Sequence, residues 1–174
     1  MRRIALAALL VLPAMLWAQP NAVLLVAKPG MADPNFRETV VLVTQTPDAS
    51  TVGVILNRPT SRKHETSGEP VREGGPVMRE VLVALFRAEH EPASSFQLLQ
   101  GVYLSMHPDN IDGLLAPPAR DRRLFAGFAG WGPGQLQGEL ARDAWFVLPA
   151  NMDLLFRNDT RSLWRELVNK ASGV

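Results

Sequence analysis

The sequence predicts a single α+β domain, an irregular α/β fold in which a mixed sheet is flanked by short helices. Short runs of apolar and β-branched residues recur along the chain, and short proline-bounded helical segments interrupt them. The two kinds of segment do not alternate as βαβ units, which argues against a doubly wound sheet. At 174 residues, 47% of them hydrophobic, the chain can form one core without a metal or a disulfide.

Seven segments are predicted strands because they are apolar or β-branched and end at turn-forming residues. The segment 96–104 is predicted as one strand interrupted by Gly101, and the apolar run 81–86 favours a strand over a helix. The polar segment 60–73 lacks periodicity and predicts a mobile surface loop. The predicted strands are 22–27, 39–44, 51–56, 81–86, 96–104, 124–129 and 144–148.

Prolines and capping residues define the predicted helices. Pro108 opens one helix and Pro133 stands before another, as proline does in a first helical turn. In the last helix, apolar residues three and four positions apart share one face. The predicted helices are 108–116, 135–142 and one from 159 or 160 to about 171, with a helical turn through 156 that Asn151 or Asp153 can cap.

The N-terminal segment 1–18 has the layout of a secretory signal peptide. Arg2 and Arg3 precede an apolar run at 4–16, which is too short to span a bilayer comfortably, and Ala18 suits the residue before a cleavage site. We therefore expect cleavage after Ala18, a single domain at 19–174, and an exported, periplasmic protein. Two alternatives are a buried N-terminal element and an uncleaved anchor, which would be the chain's one contact with a membrane.

The charge balance and the absence of cysteine exclude several functions. The formal net charge is +1, and without residues 1–18 the chain carries 16 basic and 17 acidic residues. Nucleic-acid-binding domains carry a basic excess, so nucleic acid is not an expected partner. Without cysteine the chain forms no disulfide, thiolate metal site or cysteine nucleophile.

Four segments, in this order and spacing, resemble the YqgE/AlgH family over about residues 23–164. They are PGMADPNFRETVVLV at 29–43, GVILNRP at 53–59, GGPV at 74–77, and FAGWGPGQLQGEL at 128–140 followed by Trp145 and DLLF at 153–156. The resemblance implies a mixed, partly barrel-like sheet flanked by helices, and a link to regulation, since the family is named for control of alginate synthesis. It implies no agreed reaction and no catalytic residues. The chain departs from the family in its added signal peptide.

Known catalytic and metal-binding patterns are absent from the sequence. His64, His90 and His107 each stand beside carboxylates, but none has a second histidine at i+3 or i+4, so neither a metal nor a cofactor is predicted. No G-x-S-x-G motif marks a hydrolase serine. Carboxylate chemistry remains open by elimination, with Asp33, Glu38, Asp109 and Glu139 as its candidates.

Two motifs supply most of the candidate binding residues. The glycine-rich turn 130–134 lacks dinucleotide-loop spacing, so a tight turn that buries Trp131 is favoured over ligand binding. One helical turn apart, Gln135 and Glu139 are predicted to be available for contacts, and alanine at either is expected to leave the fold intact. Arg58 is predicted to form a salt bridge with Asp33 or Glu38 rather than to clamp a carboxylate ligand. The candidate binding residues are Asp33, Asn57, Arg58, Gly74, Gly75, Trp131, Gln135 and Glu139.

The leading hypothesis is a non-enzymatic binding or regulatory module that acts outside the cytoplasm. Its expected partner is an envelope protein or a second copy of the chain. The alternative is a periplasmic hydrolase or a small-molecule-binding enzyme, which a pocket lined by Asp33, Arg58 and Glu139 would favour.

Overall fold

The computed structural model describes residues 21–116 and 121–173, which form nine strands and four helices. The strands are Ala22–Ala27 (β1), Val40–Gln45 (β2), Thr51–Ile55 (β3), Val71–Glu73 (β4), Val77–Arg87 (β5), Phe96–Leu99 (β6), Val102–Ser105 (β7), Arg122–Trp131 (β8) and Trp145–Pro149 (β9). The helices are Pro108–Leu115 (α1), Gln135–Ala141 (α2), Met152–Leu155 (α3) and Leu163–Ser172 (α4). In the described part of the chain, no helix is long and apolar enough to cross a membrane.

All nine strands belong to one sheet, with the order β6-β7-β5-β8-β3-β2-β1-β9 and β4 paired to β8. Every pair is antiparallel except β4–β8, which makes the sheet mixed. The sheet curls so far that β6 contacts β2, although several strands separate them in the order. It stays open, with β6 and β9 as its edges. The predicted α+β class and partly barrel-like sheet are confirmed, and the barrel is not closed.

Strand alternation distributes the apolar side chains over the two faces of this sheet. The inner face holds the largest core, in which Leu24, Leu42 and Phe125 are fully buried and which α3 and α4 cover. On the outer face, Trp131 and Trp145 pack with α2, and α1 packs in a third cluster. The fold therefore buries both faces of its central strands.

Two parts of the sequence prediction are wrong. Residues 96–104 do not form one strand: β6 and β7 are an antiparallel hairpin that turns at Gly101, whose φ of +72° is unfavourable for other residues. The segment 60–73 is not an unstructured loop throughout, because Lys63 bridges Pro70 and β4 pairs with β8. A three-residue strand is too short to give a periodic signal.

The remaining predicted elements are present; β1 has the predicted ends and the others are shifted by one or more residues. The run 81–86 is part of β5, as predicted, and β8 extends beyond the predicted 124–129 at both ends. The last helix begins at Leu163 rather than near 160, because the Asp159 side chain accepts a hydrogen bond from the Arg161 backbone in a preceding turn. Asn151 caps α3 by accepting a bond from the Leu154 backbone.

Candidate functional site

The eight predicted binding residues lie in three neighbourhoods rather than one. Trp131, Gln135, Glu139 and Asp33 surround the outer aromatic cluster beside α2. Asn57 and Arg58 follow β3 and line a different pocket. Gly74 and Gly75 lie against β8. Asp33 and Glu139 line one cavity and Arg58 lines another, so neither of these two cavities brings together the three residues that would have favoured an enzyme.

Trp131 is buried, as predicted. Its side chain is 2% exposed at the end of β8. The indole stacks on Phe36 with ring centroids 5.4 Å apart and meets Trp145 edge-on at 6.2 Å. Such pairs add stability beyond the area that they bury, so Trp131 belongs to the packed core.

Glu139 is an integral member of this aromatic cluster. Its Oε2 accepts hydrogen bonds from Trp131 Nε1 at 3.1 Å and from Trp145 Nε1 at 2.8 Å. The prediction that Glu139 lies free for contacts is therefore wrong, because its carboxylate satisfies two indole donors. Gln135 is exposed, and its Oε1 accepts a bond from the Gly132 backbone at 3.1 Å, which closes the turn before α2.

A cavity of about 380 Å³ lies beside the aromatic cluster. Asp33 and Glu139 line it together with Lys28, Arg142 and Asp143. The Lys28 ammonium pairs with Asp143 and lies 4.6 Å from the centre of the Phe146 ring. Asp33 accepts a bond from the Asn35 backbone at 2.8 Å, which fixes the turn after β1. The charges nearest this cavity mostly have partners, so its chemistry selects no ligand class.

Asn57 and Arg58 tie the segment after β3 to the start of β2 and to β4. Asn57 accepts a bond from the Val40 backbone at 2.8 Å and donates one to the Glu38 carbonyl at 2.9 Å. Arg58 forms a salt bridge with Glu73 at 3.2 Å. The predicted salt bridge to Asp33 or Glu38 is wrong, because β4 brings an acidic residue closer than either of them.

Gly74 and Gly75 allow two backbones to cross at van der Waals distance. A Cβ at Gly74 would lie 2.1 Å from the Gly127 carbonyl oxygen, and one at Gly75 would lie 2.3 Å from Phe128. Gly127 itself has a φ of +71°. No side chain fits here, so both glycines are explained by packing against β8 and not by a ligand.

The arginine pocket is a cavity of about 580 Å³ between the end of the β1–β2 connection, the segment after β3, and the start of α4. Arg58 and three further arginines line it, beside Trp164 and with Glu38 as the one acidic member among the described lining residues. Its lining residues are Arg37, Glu38, Asn57, Arg58, Arg161, Ser162, Trp164 and Arg165.

The arginines of this pocket differ in their partners. Arg58 pairs with Glu73 and Arg161 with Asp159, whereas Arg37 and Arg165 form no ion pair within residues 21–116 and 121–173. Trp164 is half-buried and donates its indole N–H to the Ala27 carbonyl at 2.7 Å. The pocket thus presents an excess of positive charge next to an aromatic wall.

Backbone strain accompanies the charge at this pocket. Glu38 has a φ of +55°, a conformation that is rare for a residue with a side chain, and Asn57 holds its carbonyl there. Strained backbone of this kind concentrates at functional sites. Arg37, Arg161 and Arg165 were not among the predicted binding residues, although the Arg-x-x-Trp-Arg run at 161–165 sets two arginines four positions apart.

Metal and hydrolase chemistry find little support among the described residues. These residues contain no cluster of three or more histidine, cysteine or acidic side chains that could hold a metal. One serine contacts a histidine, since Ser67 Oγ lies 3.2 Å from His64 Nδ1. The Ser67 backbone also donates to that nitrogen at 3.3 Å, and both residues are exposed or half-buried in one turn. This contact closes a turn and lacks the rigid surroundings of a catalytic pair.

Fold and site together define a single-domain α+β protein whose open, curled sheet carries an arginine-lined pocket near its C-terminal helix. The chain belongs to the AlgH-like family, whose model matches residues 24–173. The resemblance of its motifs to the YqgE/AlgH family is thereby confirmed.

Relatives and solved structures support this assignment. A UPF0301 protein of Thermobifida fusca is 34% identical over 170 residues, and another of Streptomyces coelicolor is 36% identical over 165; each match covers 86% of both chains. The solution structure of the AlgH protein of Pseudomonas aeruginosa superposes with a TM-score of 0.73 at 25% identity, over 88% of this chain and 89% of that one.

Proposed function

We propose that this protein is an exported, non-enzymatic binding module whose partner presents acidic groups to the arginine pocket. The observation that carries the proposal is the convergence of four guanidinium groups on one cavity whose described lining has a single carboxylate. Arginine favours planar, two-pronged contacts with carboxylates, and Trp164 offers an apolar surface beside them. An acidic segment of an envelope protein fits this chemistry.

The two arginines without ion pairs are the ones that we expect to contact the partner. Arg58 and Arg161 are already held by Glu73 and Asp159, and they fix the walls of the pocket. Arg37 and Arg165 are exposed, so their guanidinium groups can reach an incoming carboxylate. Contacts of this kind guide association electrostatically and weaken as salt increases.

The binding of an acidic peptide tests the proposal directly. We expect the purified protein to bind a fluorescent decaglutamate peptide at low salt and to release it as sodium chloride is raised. The double variant Arg37→Ala/Arg165→Ala should lose this binding. The matched control is Arg79→Ala, which removes an exposed arginine of β5 from outside the pocket. Equal peptide affinity in the parent and the double variant would rule out the pocket as the binding site.

The export half of the proposal rests on the predicted signal peptide at 1–18, which lies outside the described residues. Strand β1 begins at Ala22 and the family model at residue 24, so cleavage after Ala18 would spare both. N-terminal sequencing of protein from the envelope fraction should begin at Gln19. Soluble cytoplasmic protein that retains Met1 would argue against export.

The alternative of a periplasmic hydrolase has one contact to test, Ser67 with His64. Because both residues belong to a surface turn, we expect no hydrolysis of ester or phosphoester substrates above background by the parent protein. We expect Ser67→Ala to give the same result. A hydrolytic activity that disappears in this variant would replace the binding proposal with an enzymatic one.

A further inference from the structure

A second pair of arginines lies on the inner face of the sheet, away from the arginine pocket. Arg72 is the middle residue of β4, and the parallel register sets it beside Phe125 of β8. Arg123 precedes Phe125 by two residues and is the cross-strand partner of Leu85. Since alternate residues of a strand share a face, both arginines lie on the side of Phe125 and Leu85, which belong to the main core.

Burial makes this pair unusual. Arg123 is only 6% exposed, and Arg72 is half-buried with an Nε that is fully covered and has no hydrogen-bond partner among the described residues. Burial and the nearby charge of Arg72 lower the pKa of Arg123 to about 10, so it still carries its charge at neutral pH. Burial also lowers the pKa of Arg72.

Neither arginine has an acidic partner in the described parts of the chain, 21–116 and 121–173. Arg122, the neighbour of Arg123, also has a covered nitrogen without a hydrogen-bond partner, Nη1, but its buried side chain pairs with Glu69. Two like charges in a poorly solvated place are costly unless an opposite charge compensates them. A buried arginine with a purely structural role is expected to pair with an acidic side chain, as Arg122 does with Glu69.

We propose that Arg72 and Arg123 form an oxyanion-binding site, which takes a phosphate or a carboxylate group between two guanidinium groups. Planar guanidinium groups bind both chemical groups through paired N–H donors. The half-exposed Arg72 leaves an approach to the site, and the burial of Arg123 limits the ligand to a small group. Neither residue lines the arginine pocket, so this site does not depend on the function proposed above.

Thermal unfolding in different anions tests this site. The protein used carries Arg37→Ala/Arg165→Ala, so that the arginine pocket cannot produce the effect. We expect sodium phosphate, sodium acetate or both to raise Tm relative to sodium chloride at equal ionic strength. The rise should be roughly 5–10 °C at an anion concentration a hundredfold above Kd. A rise in phosphate alone assigns a phosphoryl group, and a rise in acetate assigns a carboxylate.

Substitution of Arg123 separates binding from structure. Arg123→Met keeps the long apolar side chain and removes the charge, so it should abolish the anion-dependent rise without lowering Tm in chloride. The matched control Arg122→Met loses the pair with Glu69 and should lower Tm while keeping the rise. If Arg123→Met does not fold, Arg72→Met provides the same test. Equal Tm in all three anions, or a rise that persists in the Met variants of Arg72 and Arg123, would overturn the proposal.

Discussion

The aromatic cluster around Glu139 and the arginine pocket differ in whether their charged groups have partners within the protein. In the cluster, one carboxylate accepts from two indoles and the rings pack against one another. In the pocket, Arg37 and Arg165 line a cavity without an ion pair among the described residues. A polar group with its partners inside the chain stabilises the fold, whereas an unpaired charge at a cavity is available to another molecule. The turn at 130–134 and helix α2, where Trp131, Gln135 and Glu139 were candidate binding residues, therefore stabilise the fold.

The largest expected effect is that of Trp131→Ala. Trp131 fills the centre of the outer cluster, and truncation of such a core aromatic costs about 3–5 kcal/mol of unfolding free energy. Urea unfolding of the parent and the variant measures this difference. If the variant matched the parent in stability, the cluster would be a binding surface and the contrast with the pocket would fail.

Glu139→Ala should have the next largest effect. It leaves two buried indole donors without their acceptor, and we expect a loss of about 1–3 kcal/mol. Glu139→Gln retains an acceptor oxygen and should lose less. Gln135→Ala, one turn away on the exposed side of α2, is the control and should stay within about 0.5 kcal/mol of the parent. Chemical denaturation of the three variants measures their unfolding free energies. If Glu139→Ala were as stable as Gln135→Ala, Glu139 would not contribute to stability.

Substitutions in the arginine pocket should change binding and leave stability nearly unchanged. Arg37 and Arg165 are exposed, so alanine at either should change the unfolding free energy by no more than about 0.5 kcal/mol. The same substitutions should remove binding of the acidic peptide. A double variant that lost several kcal/mol in thermal or urea unfolding would show that these arginines stabilise the fold, as Glu139 does.

The smallest expected effect concerns Glu166 of α4, next to the pocket. Hydrogen bonds from Arg157 and Ser162 lower the pKa of Glu166 to about 2. Because the folded-state pKa is lowered, the stabilising contribution is present above the ordinary pKa near 4.5 and is lost as pH falls towards 2. We expect the parent to melt slightly above Glu166→Gln at pH 6 and together with it near pH 2. The exposed Glu80→Gln should show no such convergence.

Local patterns predicted most strands, the helices and the burial of Trp131, because those depend on periodicity and on one large apolar group, but they missed β4 and joined β6 to β7. The glycines at 130–134 predicted a tight turn, and there the Gln135 backbone donates to the Gly132 carbonyl at 3.1 Å. Local patterns did not predict the arginine pocket. Arg37 and Arg165 are far apart in sequence and line one cavity because α4 packs against β1. The sequence also did not predict Glu73 as the partner of Arg58, because Glu73 belongs to β4. That three-residue strand is too short to detect from the sequence.

The hydrogen bond from Trp164 to Ala27 joins residues 137 positions apart, and β1 also pairs with β9. During synthesis, the first strand therefore lacks one neighbour until β9 has emerged and lacks its covering helix until α4 follows. Because these contacts need residues near the C-terminal end of the domain, the nascent chain is incompletely folded until nearly all of it has left the ribosome. Translocation through a narrow channel requires an unfolded chain, so this delay would suit a protein that is exported after its synthesis is nearly complete.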